Sequence, residues 1–425
     1  MTSFSGEIFS SRLERVSGSR IKDNLFFWLI FLYLMCSPVL YFRVGGNSVS
    51  AVDFIGSLSI VLLLIFSSKK VTYYTAFYVG YICMAFFSVA ASSEPGVGLS
   101  NLALALRLLF IFMPFILIEH LDLRFLANDQ RLVKAMFFSS YFAVVLGLGL
   151  YALGIEVRDS QHVLWLGSGY GAAMRAGGIV GNPASYGLVA AFLLFSGMLY
   201  RKLCGGSYII IMTSFLASFA AIIVSSSRGA LLMLVVFSMV YFMTNLRRAL
   251  LGVVGLFILI PALLLSALFL DVRSLPPGLY AAIRRLDMFN IMDDSKFFTT
   301  VRFDTWGNLY NRLWDVPFFG VGYKSFQENF GAYIDNSYLS TWIEVGIIGF
   351  VLFILFWTLV LVRFGYIFAK RGGFYSAFGL ALTVAFMMRM VTGGANASWS
   401  AAPLYFAALA LLLRLASVPH RKATG

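Results

Sequence analysis

Arginines beside small polar residues, at the edges of apolar runs, are the first feature with chemical meaning in this 425-residue chain. Arg175 opens the stretch RAGGIVGNP (175–183), Arg228 sits in SSSRG (225–229), Arg302 begins RFDTWGNLY and Arg389 closes a long apolar run. A guanidinium is a planar fork of donors that stays charged, so several of them together suit a diphosphate. Asp335 and Asn336 come immediately before another long apolar run. A carboxylate facing arginines stays ionised and can take the proton from an attacking hydroxyl. The chemistry these types could do together is group transfer, in which a hydroxyl attacks and a diphosphate leaves.

Plainer roles compete for several of these residues. A lone arginine at a helix end often snorkels to the interface, which suits Arg389 and Arg175 taken singly. The small residues Ser225, Ser226, Ser227 and Gly229 leave room for a ligand at Arg228. Arg284 and Arg285 are either solvated charge or part of the same cationic group. Asn336 is equally suited to capping a helix. Glu344 lies inside the apolar run, about 2.5 helical turns beyond Asp335, where a carboxylate is an anchor or a functional group. Its expected role is structural, a hydrogen bond to a neighbouring helix end. Tyr333, Tyr338 and Trp342 are expected to line the path of the group being transferred. Cys36, Cys83 and Cys204, like His120, His162 and His420, are dispersed and lack CxxC spacing. Neither a disulfide framework, a metal cluster nor a cofactor is therefore expected, and Asp293-Asp294 reads as solvated loop.

Composition dictates what must position these groups. Hydrophobic residues make up 60% of the chain and charged residues 12%, against about 25% charged in an average soluble domain. At about 20 apolar residues per bilayer-spanning helix, that content suffices for about twelve spans. A cytosolic enzyme, a nucleic-acid binder and a single-span receptor are excluded. The fold class expected is an all-α polytopic membrane protein. Its predicted spans are 25–42, 50–66, 71–91, 99–118, 132–154, 183–200, 207–224, 229–244, 249–270, 338–362, 374–391 and 401–418. The first apolar run continues straight into the protein, so no removable signal peptide is expected.

Orientation follows from the 32 Lys and Arg residues. With both termini cytoplasmic, 19 lie in inside segments and 12 outside, and Arg107 falls within the fourth span. Seven of the outside residues fall in the single long segment 271–337, and long loops translocate largely regardless of charge. The expected organisation is therefore 1–270, carrying nine spans and a Gly-rich outer segment at 155–182; an outer loop region at 271–337; and 338–425, carrying three more spans.

An ordered series of motifs in the chain resembles the O-antigen ligase and Wzy-type polysaccharide polymerase superfamily. RAGGIVGNP is similar to its Arg-x-x-Gly…Asn-Pro element, and SSSRGA (225–230) to its Ser-Arg-Gly turn. Residues 302–322, with Arg302, Trp306, Pro317, Gly320 and Gly322, resemble the start of its large periplasmic loop domain. DNSYL (335–339) followed by EVGIIG (344–349) resembles its end. The resemblance implies a GT-C-type glycosyltransferase in the bacterial inner membrane. It would move a glycan from undecaprenyl diphosphate to an acceptor at the periplasmic face, without metal or nucleotide sugar. By position, Arg175, Arg228 and Arg302 correspond to family arginines that hold the diphosphate, with Arg389 and Arg285 as further candidates. Asp335 would be the base, and Asn336, Tyr338, Tyr333, Trp342 and Glu344 would support or contact sugar. Ligases of the family generally have His before this Asn; Asp335 in its place favours the polymerase branch. The partners implied are lipid-linked donor and acceptor glycans, membrane lipid and a chain-length regulator, with no nucleic acid. An O-antigen ligase or protein O-glycosyltransferase remains the alternative. From another class, so does a flippase, although its charges should line the membrane depth rather than one edge.

Overall fold

The computed structural model describes residues 21–38, 41–44, 47–66, 71–92, 97–122, 130–153, 176–244, 307, 309–311, 313–325, 336–395 and 398–418. In chain order the helices are α1 (21–36), α2 (Ala51–Phe66), α3 (Tyr73–Ala91), α4 (Leu99–His120), α5 (Arg131–Ala152) and α6 (Pro183–Cys204). They continue with α7 (Tyr208–Ser225), α8 (Arg228–Met243), α9 (Ser337–Arg371), α10 (Phe374–Val391) and α11 (Ala402–Ser417). Seven of these are long and apolar enough to cross a membrane, and α2, α8 and α11 are shorter apolar helices. The chain is a multi-pass membrane protein. Helices occupy eleven of the twelve predicted spans, while the ninth, 249–270, lies outside the described residues.

Two features depart from the all-α expectation. The first predicted span, 25–42, stops as a helix at residue 36, where Ser37-Pro38 follows, because a proline cannot extend the hydrogen-bond ladder. A two-stranded antiparallel hairpin, β1 (Tyr41–Val44) with β2 (Asn47–Ser50), then leads into α2. The second departure is a break inside α9, at Gly346, which holds φ 84° and ψ 176°.

Helices α3, α4, α9, α10 and α11 interlock through aromatic rings. Tyr78 stacks on Phe112 at 4.1 Å, Phe112 meets Phe406 at 5.1 Å, and Trp357 meets Phe386 at 5.3 Å. Helix α11 is central: every residue from Ala402 to Leu413 is buried. Its run APLYFAALALLL carries no charge and is apolar all round, which lets it sit among neighbours on all sides.

Hydrogen bonds between helix ends mark one end of the bundle, and the sequence motifs mark the other. At one end the Thr72 and Thr75 hydroxyls donate to the Glu119 carboxylate at 2.8 and 2.5 Å, and Arg414 donates to the Leu121 carbonyl at 2.5 Å. That clasp joins α3, α4 and α11. The other end carries Arg228 and the motifs singled out in the sequence. Arg107, unassigned from sequence, forms a two-pronged ion pair with Asp53 in the first turn of α2, at 3.0 and 2.9 Å. A charge that is costly within a span is thereby matched.

Candidate active site

The site is built where helix ends meet. Asn182 caps α6, accepting from Ala184 N at 2.9 Å and Ser185 N at 3.2 Å, with Pro183 in the first helical position. The Gly-Asn-Pro of the first motif is thus a helix start, in which the cap satisfies two orphan amides and proline presets φ. Immediately upstream, Ala176 N–H donates to the Val224 carbonyl at the end of α7, at 3.0 Å. That bond brings Ala176 and the glycines after it alongside the SSSRG turn, although Ala176 and Val224 are 48 positions apart in sequence.

The turn itself takes only Ser226 and Ser227 between α7 and α8. Ser226 adopts the left-handed conformation, φ 49°, and its N–H bonds to the Ile223 carbonyl at 2.9 Å. A non-glycine residue there carries a strain of about 1–2 kcal/mol. Arg228 is consequently the first residue of α8, and it is exposed. A cation is disfavoured at a helix N-terminus by about 0.3–1 kcal/mol, whereas an anion is favoured there. The positive end of the α8 dipole and the Arg228 guanidinium therefore call for the same kind of ligand.

Arg389, at the end of α10, is only 5% exposed. Its guanidinium lies across Gly229: a methyl group added to that glycine would stand 2.7 Å from Arg389 Nε and 2.9 Å from Cζ. On its other side it covers Gly393, and its Nη1 reaches the Thr392 hydroxyl at 3.4 Å. This is a packed position inside the protein rather than that of a side chain stretching to an interface. Gly393 in turn accepts from the Ser337 hydroxyl at 2.8 Å, which docks the start of α9 on the end of α10. Asn336 caps α9, accepting from Tyr338 N and Leu339 N at 2.9 and 3.2 Å. Ser398, before α11, donates to Ser185 on α6 at 3.0 Å. The starts of α6, α8, α9 and α11 thus gather with the end of α10 around two arginines.

A second assembly fixes this one to the rest of the bundle. The break at Gly346 frees the carbonyls of Ile343 and Glu344, which accept from Val321 N at 2.9 Å and Gly322 N at 3.0 Å. Gly346 stands so close to Gly320 that a methyl group on it would lie 2.6 Å from Gly320 N and overlap the Phe318 carbonyl oxygen. The Glu344 carboxylate takes the backbone N–H of Lys324. The expected partner of Glu344 was a helix end, and the observed one is this loop. The Ser92 hydroxyl donates to Val321 O at 2.6 Å, Tyr323 N donates to Ser88 at 3.2 Å, and Asn101 donates to Tyr323 O at 3.0 Å. Residues 320–325 are in this way stapled to α3, α4 and α9 together.

Arg228, Arg389, Asn336, Tyr338, Trp342 and Glu344 are described, whereas Arg175, Arg285, Arg302, Tyr333 and Asp335 lie outside the described residues. Arg228, Arg389 and Asn336 belong to the gathered helix ends. Tyr338 donates its hydroxyl to the Met387 carbonyl at 3.0 Å, and Trp342 packs edge-on against Trp314 at 5.8 Å. Ser337, Ser398 and Gly393 were not singled out from sequence; the small-residue run GGANASWS (393–400) between two spans was the available signal. Among the described residues, no three of His, Cys, Asp or Glu gather as a metal-binding group.

Fold and site together define a multi-pass membrane protein with a cationic cluster of helix ends on one side of its bundle. Residues 213–354 match the family described as O-antigen ligase. The matched third of the chain runs from α7 through the first half of α9, includes Arg228, Asn336 and Glu344, and supports the O-antigen ligase/Wzy superfamily without separating its branches. No curated protein sequence matches the chain.

Proposed function

We propose that the chain is a bacterial polysaccharide polymerase of the inner membrane, with its site facing the periplasm and both termini in the cytoplasm. The acceptor sugar hydroxyl of one lipid-linked repeat unit attacks the anomeric carbon of another. The new glycosidic C–O bond forms as the anomeric C–O bond to undecaprenyl diphosphate breaks, with inversion. Asp335 takes the hydroxyl proton, and the diphosphate leaves with the bonding electron pair. Arg228, Arg302 and Arg175, with Arg389 and Arg285 nearby in role, offset the charge that develops on it. The observation that carries this reading is the convergence of the SSSRG turn, Arg389 and the Asn336–Ser337 start of α9 at one end of the bundle. Asp335 immediately precedes that helix start.

The family match also favours a second reading, in which the same chemistry delivers the glycan to a lipid or protein acceptor, as in a ligase. Reconstituted vesicles given a defined undecaprenyl-diphosphate-linked repeat unit separate the two. Long glycans from that substrate alone identify a polymerase, whereas dependence on an added acceptor identifies a ligase. Arg228→Ala and Arg228→Lys should both abolish product while the protein still inserts. Full activity in both variants removes Arg228 from the mechanism.

A further inference from the structure

We propose that the segment 309–319 carries an aromatic foot that seats it in the lipid leaflet at the Arg228 end of the bundle. Tyr310 is 67% exposed, Trp314 82%, Phe318 59% and Phe319 38%. Tyr310 lies in a short helical stretch, Trp314 in the 3-10 turn Leu313–Asp315 and Phe318 in the turn after Pro317, and each of the three leaves its ring exposed. The inward-turned residues are already used: Leu309 and Leu313 are buried in a small cluster with Val321 and Ile343, against which Trp342 packs. The outer side carries these rings beside exposed Asn311 and Asp315, and among the described residues it is covered far less than the inner side.

The structure indicates what covers the outer face. Phe319 lies edge-on against Phe87 at 4.7 Å. Phe87 is exposed on α3, one of the helices that crosses the membrane. The aromatic surface of 310–319 is thus continuous with the lipid-facing wall of the bundle, at the end of that wall. Large amphipathic rings concentrate at this depth in membrane proteins, where the apolar body is buried among lipid and the polar edge stays wet. Tyr310 and Trp314, the two that carry a polar atom, are the members farther in sequence from the Phe319 contact. The occupant is the headgroup–acyl boundary of the leaflet. This inference needs only the membrane-spanning fold and is independent of the catalytic reading.

Spin labels on the full chain in phospholipid nanodiscs test it. With Cys36, Cys83 and Cys204 replaced by serine, a nitroxide is placed at Trp314→Cys or Phe318→Cys. Leu64→Cys on lipid-facing α2 and Asp315→Cys, at an exposed polar position, serve as references. The ratio of collision with molecular oxygen to collision with a water-soluble nickel chelate should be severalfold higher at 314 and 318 than at 315. It should also be higher at 318 than at 314, and approach the Leu64 value. Ratios at 314 and 318 equal to that at 315 overturn the proposal. Nickel access at 314 that a soluble oligosaccharide then blocks also overturns it, because it identifies the rings as a glycan platform.

Discussion

Replacing Gly346 by alanine should release the staple that fixes residues 320–325 to the bundle. The residue holds φ 84° and ψ 176°, an almost glycine-only conformation that costs an alanine about 1–3 kcal/mol. Its methyl group would also overlap the Phe318 carbonyl oxygen and stand 2.6 Å from Gly320 N. Those atoms are backbone, so relief comes by moving the loop away. That movement gives up the bonds from Val321 N and Gly322 N to Ile343 and Glu344, which are 2.9 and 3.0 Å long. At about 1 kcal/mol net per bond and about 1.4 kcal/mol per decade, strain and lost bonds together amount to at least about a hundredfold. The assay is amide hydrogen exchange on the full chain in nanodiscs, read at Val321 and Gly322, whose protection should fall by about two decades or more. Gly365→Ala, in the same helix with nothing within 4 Å of the added methyl, should leave protection unchanged. If Gly346→Ala exchanges at the wild-type rate, the positive φ and the close approach do not hold the loop, and the reasoning fails.

Other perturbations address different parts of the molecule. Gly229→Ala places a methyl 2.7 Å from Arg389 Nε; the arginine side chain can swing aside, so folding should persist while glycan transfer in vesicles drops at least tenfold. Asp53→Asn leaves Arg107 in the span without its counter-charge. The pair is 17% and 18% exposed, so the loss should be about 2 kcal/mol rather than the 3–5 of a fully buried pair. The double variant with Arg107→Gln should recover most of it in thermal unfolding. Asn336→Ala removes the cap of α9 at a cost of about 1 kcal/mol, and Asn336→Ser should restore it, both read as melting temperature in detergent.

Much of this architecture could be read from the chain, because apolar length is a strong signal when every backbone group must be satisfied inside lipid. The runs that became α2 through α8, α10 and α11 were bounded by charges, glycines or prolines that end helices for local reasons. The break in α9 was not legible. EVGIIG reads as continuous apolar helix, and the loop that satisfies the freed carbonyls lies more than twenty positions away in sequence. Strand β1 was hidden in the same way, since TyrPheArgVal prolongs an apolar run and only Pro38 marks the end of its helix. At the site, Arg228 could be found because three serines beside an arginine are conspicuous between apolar stretches. Its neighbour Arg389 could be located but not paired. Nothing in the sequence says that two single glycines, 229 and 393, leave the space its guanidinium fills.

The burial of α11 bears on how the molecule is made. This helix comes after every other described helix in the chain, yet its rings at Tyr405 and Phe406 join those of Phe192, Phe112, Phe386 and Trp357. Synthesis proceeds from the N-terminus, so the earlier spans enter the bilayer around a place whose tenant has yet to leave the ribosome. Their assembly into one tight body waits for that final arrival, and a chain cut short before residue 402 would present the cell's quality-control proteases with an open-hearted barrel of helices.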